Sequence, residues 1–199
     1  MADEWTELAY NVESGREKVL ARSGKPKWFL ATVPSTGTHW AVEHIRRTGI
    51  DTKNDEQFLH VHPGLVYGIE KVWWAAKNAE HRVATLRHPF DALRTWSWHM
   101  DKGHFGGLPG GQSVINTRLR CWDILMDLDK DFKFDFIRVD LGDVREVDAR
   151  RALGRKVELD WTPRNARADH EWPLNSWGEA WLRNNTPLRH WLQDKGYEL

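Results

Sequence analysis

Four short runs rich in β-branched and aromatic residues, Trp28–Val33, Phe58–Val61, Arg82–Leu86 and Phe134–Val139, are each followed by a turn and then by apolar residues at helical spacing. Strands that alternate with helices of this length point to a parallel sheet covered on both faces, with ligands held beyond the carboxyl ends of the strands. The expected fold class is α/β, one domain spanning residues 1–199 on a parallel sheet of about four to five strands.

The helical stretches have recognisable limits. From His39 the residues Trp40, Val42 and Ile45 recur at helical spacing and stop near Gly49, a common helix terminator. A second helix is expected over Leu65–Lys77, with Ile69, Val72 and Trp73 inward. Pro89 suits a first helical turn, where its missing amide hydrogen is no loss, and Leu93, Trp96 and Met100 continue that helix. Ser113 is placed to cap a helix carrying Ile115, Leu119, Trp122 and Leu125, and another is expected over residues 143–153. Ser176-Trp177-Gly178-Glu179 has the form of a capping box. Residues 1–24 are expected to form a helical extension. Residues 103–111 hold five glycines and a proline, the composition of a mobile lid.

Lys plus Arg and Asp plus Glu both number 29, so no excess of positive charge marks a nucleic-acid or membrane-surface binder, and any phosphate site must be local. The one cysteine, Cys121, sits among Leu119, Trp122 and Leu125 and reads as a core thiol. Asp3, Glu4 and Glu7 stand where a secretion signal would be basic, and no apolar run approaches the length of a membrane span, so a cytoplasmic location is expected.

Val33-Pro34-Ser35-Thr36-Gly37-Thr38-His39-Trp40 lies between a strand and a helix. Such a loop aims backbone amides at a phosphate, the helix start adds positive potential, and glycine lets an oxygen approach closely. The candidate binding residues are Ser35, Thr36, Gly37, Thr38, His39 and Trp40, although Ser-Thr-Gly-Thr is also an ordinary turn. The pattern G-x-x-x-x-G-K-S/T of the Walker loop is absent. A second strand-to-helix junction brings Arg87 and, two turns into the next helix, Thr95; a guanidinium fork and a hydroxyl at that spacing would close on one phosphate. His60 and His62 flank Val61 and share a face if the segment is extended. A neutral imidazole is suited to proton abstraction, and no second cluster at metal-ligand spacing accompanies the pair.

These segments resemble the PAPS-dependent sulfotransferases of the P-loop type. The first loop is similar to their phosphosulfate loop, Pro-Lys-Ser-Gly-Thr-Thr-Trp, at Pro34, Thr36, Gly37, Thr38 and Trp40. The run Arg87-His88-Pro89-Phe90-Asp91 through Thr95 is similar to their second nucleotide motif, and His62-Pro63 to Lys-Thr-His-Leu-Pro. More loosely, Phe136–Leu141 looks like the family's late strand, and Asp194-Lys195-Gly196-Tyr197 like the ending of bacterial relatives. The resemblance covers about residues 27–197 and implies a P-loop-like sheet. It also implies PAPS as co-substrate with no metal, Arg87 and Thr95 on the 3′-phosphate, His62 as general base with His60 in reserve, and a small-molecule or glycan acceptor.

The sequence departs from that pattern at Ser35, where the family carries lysine or arginine. Lys25, Lys27, Arg164 or Arg167 could supply the charge, and Arg164 is counted with the cofactor-binding residues. Should His60 and His62 both be dispensable, Glu43 or Asp140 would be the next base to consider. Two other readings stay open: a non-catalytic nucleotide-binding module that lost the loop cation, and an atypical P-loop phosphotransferase.

Overall fold

A computed structural model describes residues 9–11, 16–18, 26–54, 57–65, 69–101, 111–141, 146–161 and 173–199. In chain order its elements are β1 (Ala9–Asn11), β2 (Arg16–Lys18), β3 (Trp28–Thr32), α1 (Thr38–Arg47), β4 (Phe58–Val61), α2 (Ile69–Asn78), β5 (His81–Leu86), α3 (Pro89–Asp101), α4 (Gly111–Phe132), β6 (Asp135–Arg138), α5 (Glu146–Leu153), α6 (Ser176–Asn184) and α7 (Thr186–Asp194), with a 3-10 turn at Pro63–Leu65.

The fold is α/β, and its main sheet is parallel throughout, in the order β4-β3-β5-β6. Leu30 stands opposite His60 on one side and Val83 on the other, and Thr32 stands opposite Thr85. All of β3 is buried, as a strand covered on both faces must be. Phe29, Ala31, Leu59, Val61, Ala84 and Leu86 meet α2, α3, α4, α6 and α7 on one face. Alternate residues Trp28, Leu30, Phe58, Val83 and Ile137 meet α1 and α5 on the other. The chain leaves β3 for one edge through α1 and leaves β5 toward the other edge through α3 on the opposite face. The carboxyl ends of β3 and β5 therefore frame the crevice where such sheets bind ligands.

Several expectations need correction. The described residues of the N-terminal extension are not helical but pair as antiparallel strands, Ala9 opposite Lys18 and Asn11 opposite Arg16. The intervening Ser14-Gly15 is a turn-forming dipeptide that weighs against one continuous helix. The fourth helix starts at Gly111 rather than at Ser113, so the expected loop ends one residue earlier. Its other residues, 103–110, lie outside the described residues. The cap of α6 is Asn175, whose Oδ1 accepts the Gly178 amide at 2.9 Å, and not Ser176; asparagine caps as well as serine, and Glu179 pairs instead with Arg183. The C-terminal region is two helices, divided at Asn185, which caps α7 through the Leu188 amide at 3.2 Å.

The turn after β4 seats directly on α4. A Cβ added at Gly64 would lie 2.7 Å from both Thr117 O and Cys121 N, which are helix backbone atoms with no room to yield. Gly64→Ala is expected to lower unfolding free energy by about 1–3 kcal/mol through overpacking. Urea denaturation monitored by circular dichroism checks this, and an unchanged midpoint would show that the turn does not bear on α4.

Candidate functional site

The loop between β3 and α1 is shaped by its own residues. Gly37 has φ 90°, in the left-handed region, and a Cβ there would stand 2.7 Å from Val139 Cγ1. Glycine is thus required by conformation and by the residue that follows β6. Ser35, at φ 67°, also adopts the left-handed region. The Thr36 side chain turns inward: its hydroxyl lies 2.7 Å from Val33 O, 3.1 Å from Thr85 O and 3.0 Å from Thr85 Oγ1. Thr36 therefore fixes the loop to β5 rather than facing a ligand. From the opposite face of the sheet Trp96 of α3 donates its indole N–H to Pro34 O at 3.0 Å. Thr38 opens α1, and His39, beside it, is exposed.

Arg87 and Thr95 come together. Arg87 Nη1 donates to Thr95 Oγ1 at 3.2 Å, and the same hydroxyl donates to Asp91 O at 3.0 Å. Trp96 ties the helix carrying Thr95 to the loop between β3 and α1, so both junctions belong to one end of the sheet. Tyr197 holds the neighbouring turn: its hydroxyl donates to Asp140 Oδ1 at 2.7 Å, while Asp140 Oδ2 accepts the His88 amide at 2.9 Å.

The two histidines converge on Thr32. Its Oγ1 lies 2.8 Å from His60 Nε2, 3.0 Å from His62 Nδ1 and 2.9 Å from Thr38 Oγ1. His62 Nδ1 is also 2.8 Å from the Thr32 carbonyl, which only accepts, so Nδ1 bears the proton and Nε2 presents its lone pair. Burial pushes the His62 pKa down to about 4, against a smaller upward pull from the Thr32 carbonyl, and the charges of Arg118 and His39 add to the depression. The ring is neutral at pH 7 and in the basic form.

Trp40 is engaged within the fold. Its indole N–H donates to Asp160 O at 2.6 Å, and its ring stacks with His44 and Trp161, centroids 3.9 and 4.6 Å away. Lys27 cannot replace the loop cation, because it stands at the amino end of β3, a strand's length from Ser35. Lys25, Arg164 and Arg167 lie outside the described residues. Glu43 is paired with Arg47 at 2.9 Å, and Asp140 is occupied on both oxygens, so neither is placed as a spare base.

Sequence reading missed the residues that support these groups. Thr32 and Thr85 looked like ordinary strand threonines, and their signal was position alone, Thr32 ending β3 and Thr85 standing one residue before the end of β5. Arg118 is buried in α4 with its guanidinium carbon 5.6 Å from the Trp96 ring centroid, and its charge reaches both His62 and Cys121. The Cys121 thiol is pushed up to about 12 by burial, in keeping with a core role. No family model, curated protein or solved structure matches this chain. Among the described residues no helix is long and apolar enough to cross a membrane.

The depressed His62 pKa makes stability depend on pH. The unfolded chain takes up the proton near 6.5 and the folded one only near 4, so His62 favours the fold fully above 6.5 and loses that contribution as pH falls from 6.5 to 4. His62→Gln should flatten this part of the stability profile, by at most about 3 kcal/mol across the window. Urea midpoints at a series of pH values test it; parallel profiles for both proteins would mean that the ring is not held neutral.

Proposed function

We propose that this chain binds a nucleotide bearing a 3′-phosphate and transfers the sulfuryl group of PAPS to a hydroxyl or amine of a small-molecule or glycan acceptor. The observation that carries the reading is the contact of Arg87 with Thr95, a charged fork and a hydroxyl meeting beside a glycine-requiring loop at the carboxyl end of the sheet. A fixed cation and a neutral donor on the same anion fit a phosphate monoester. The amides of Ser35, Gly37 and Thr38 and the start of α1 would take the phosphosulfate, the Thr36 amide being bonded to Val33 O at 3.2 Å.

His62 is the base in this scheme. Its Nδ1–H is anchored on Thr32, which fixes the tautomer and leaves Nε2 to accept the acceptor's proton. The acceptor oxygen or nitrogen forms a bond to sulfur as the bond from sulfur to the nucleotide's phosphate oxygen breaks, and PAP leaves with that electron pair. The protein's part is positioning and charge stabilisation, as in phosphoryl transfer.

A second reading, nucleotide binding without transfer, is favoured by Ser35. It stands where the resembled loops have a cation, and charge stabilisation is often the largest catalytic contribution.

PAP is expected to bind more tightly than AMP, and Arg87→Ala to remove most of that preference, roughly ten- to a hundredfold. Isothermal titration decides the binding part, and equal affinities for PAP and AMP would sink it. Incubation with labelled PAPS and an acceptor panel decides the transfer part. His62→Ala should slow transfer about a hundredfold with PAP affinity kept. PAP binding with no labelled product would select the second reading.

A further inference from the structure

Residues 157–161 run along the outside of α1 and are tied to it by a repeated set of contacts. Arg47 Nη1 donates to Glu158 O at 3.0 Å, Trp40 Nε1 donates to Asp160 O at 2.6 Å, and Trp161 stacks on Trp40. The remaining tie runs through His44, which is fully buried: the Asp160 amide lies 2.9 Å from His44 Nε2, and His44 Nδ1 lies 2.7 Å from Trp40 O. A backbone N–H only donates and a carbonyl only accepts, so one tautomer satisfies both: Nδ1 carries the proton and Nε2 is bare. Protonating Nε2 would set an N–H against the Asp160 N–H inside the core.

We propose that His44 is a proton-operated latch, whose neutral ring fastens residues 158–161 to α1 and whose protonation releases them and uncovers Trp40.

The surroundings decide how the latch is poised. On α1 the charged neighbours are Glu43 and Arg47, paired at 2.9 Å, and on the fastened segment they are Glu158 and Asp160, with Asp160 Oδ2 3.9 Å from Arg47 Nη2. The sheet and α5 residues of the same core cluster, among them Leu30, Ile137, Ala149 and Leu153, are apolar and offer a proton no partner. Burial and Arg47 lower the His44 pKa, while the Trp40 carbonyl and Asp160 raise it, and the net direction is down from 6.5. The latch is accordingly closed at neutral pH and opens only in acid. Release would break the hydrogen bond from the Asp160 amide to His44 and the Trp161 stack together, because the two residues are adjacent in the chain. Trp40 belongs to the first turns of the helix that follows the phosphate loop, so the event alters the rim of the candidate site.

The test compares the whole chain with His44→Gln and Trp161→Ala. Glutamine offers one donor and one acceptor and does not titrate. Hydrogen exchange of the Asp160 amide is measured at about pH 7.5 and about pH 5, corrected for intrinsic exchange. In the unmodified chain protection is expected to fall at least tenfold more at Asp160 than at amides of β3, whereas His44→Gln should keep its Asp160 protection at both pH values. Trp161→Ala leaves His44 in place and should show the same acid-dependent loss from a lower starting protection. His62 is common to all three proteins, so its own titration cancels in the comparison. Equal loss in the unmodified chain and His44→Gln would overturn the latch, as would undiminished Asp160 protection in the unmodified chain at the lower pH.

Discussion

β3 is paired on both sides by parallel strands, and everything at the carboxyl end of the sheet follows from that pairing. Because β4 and β5 are reached by connections on opposite faces, the ends of β3 and β5 form the switch point at which sheets of this kind hold ligands. The register then decides what stands in it. Thr32 opposite Thr85 places two hydroxyls side by side at the two strand ends, and Leu30 opposite His60 puts that histidine on the same face as Thr32. A one-residue slip of any of these strands would turn its own member of the set toward the other layer.

Many of the polar groups at this end of the sheet serve one another. Thr36 and Thr85 serve each other and nearby carbonyls, Thr32 serves Thr38 and the two histidines, and Asp140 serves His88 and Tyr197. Farther from the glycine loop, buried ionic groups fasten the outer helices. Asp129 accepts from Trp191 at 2.9 Å and from Lys195 at 2.8 Å, and Arg138 reaches Asp148 at 2.6 Å and Lys195 O at 2.7 Å. These buried charges have specific partners, as burial demands. They also bring the C-terminal Tyr197 within reach of the turn that follows β5.

The sheet was legible because each of its strands is short, apolar and bounded by a turn or helix signal. The residues on the ends of those strands were legible where their chemistry is unusual for the place, as with Arg87 and the His60-His62 pair. Thr36 was misjudged as a ligand contact because a hydroxyl in a glycine loop is equally able to serve the loop itself, and only the position of β5 decides between the two. Arg118 and Val139 were invisible for another reason: each acts on the site from an element that sequence spacing does not connect with it. The cap at Asn175 was missed because two acceptable capping residues stand side by side, and local sequence does not rank them.

The contact of Gly37 with Val139 has a consequence for how the protein is made. Val139 is held by donating its amide to Leu86 O at 3.0 Å, a bond that exists only once the last strand has joined β5. The glycine loop emerges from the ribosome some hundred residues before the side chain it must fit against. Until β6 docks, the loop lacks the wall against which Gly37 packs, and the early strands can assemble without it. The shape of the glycine loop is thus completed late, in the same step that completes the sheet. A nascent or truncated chain ending before β6 presents the motif without its shape.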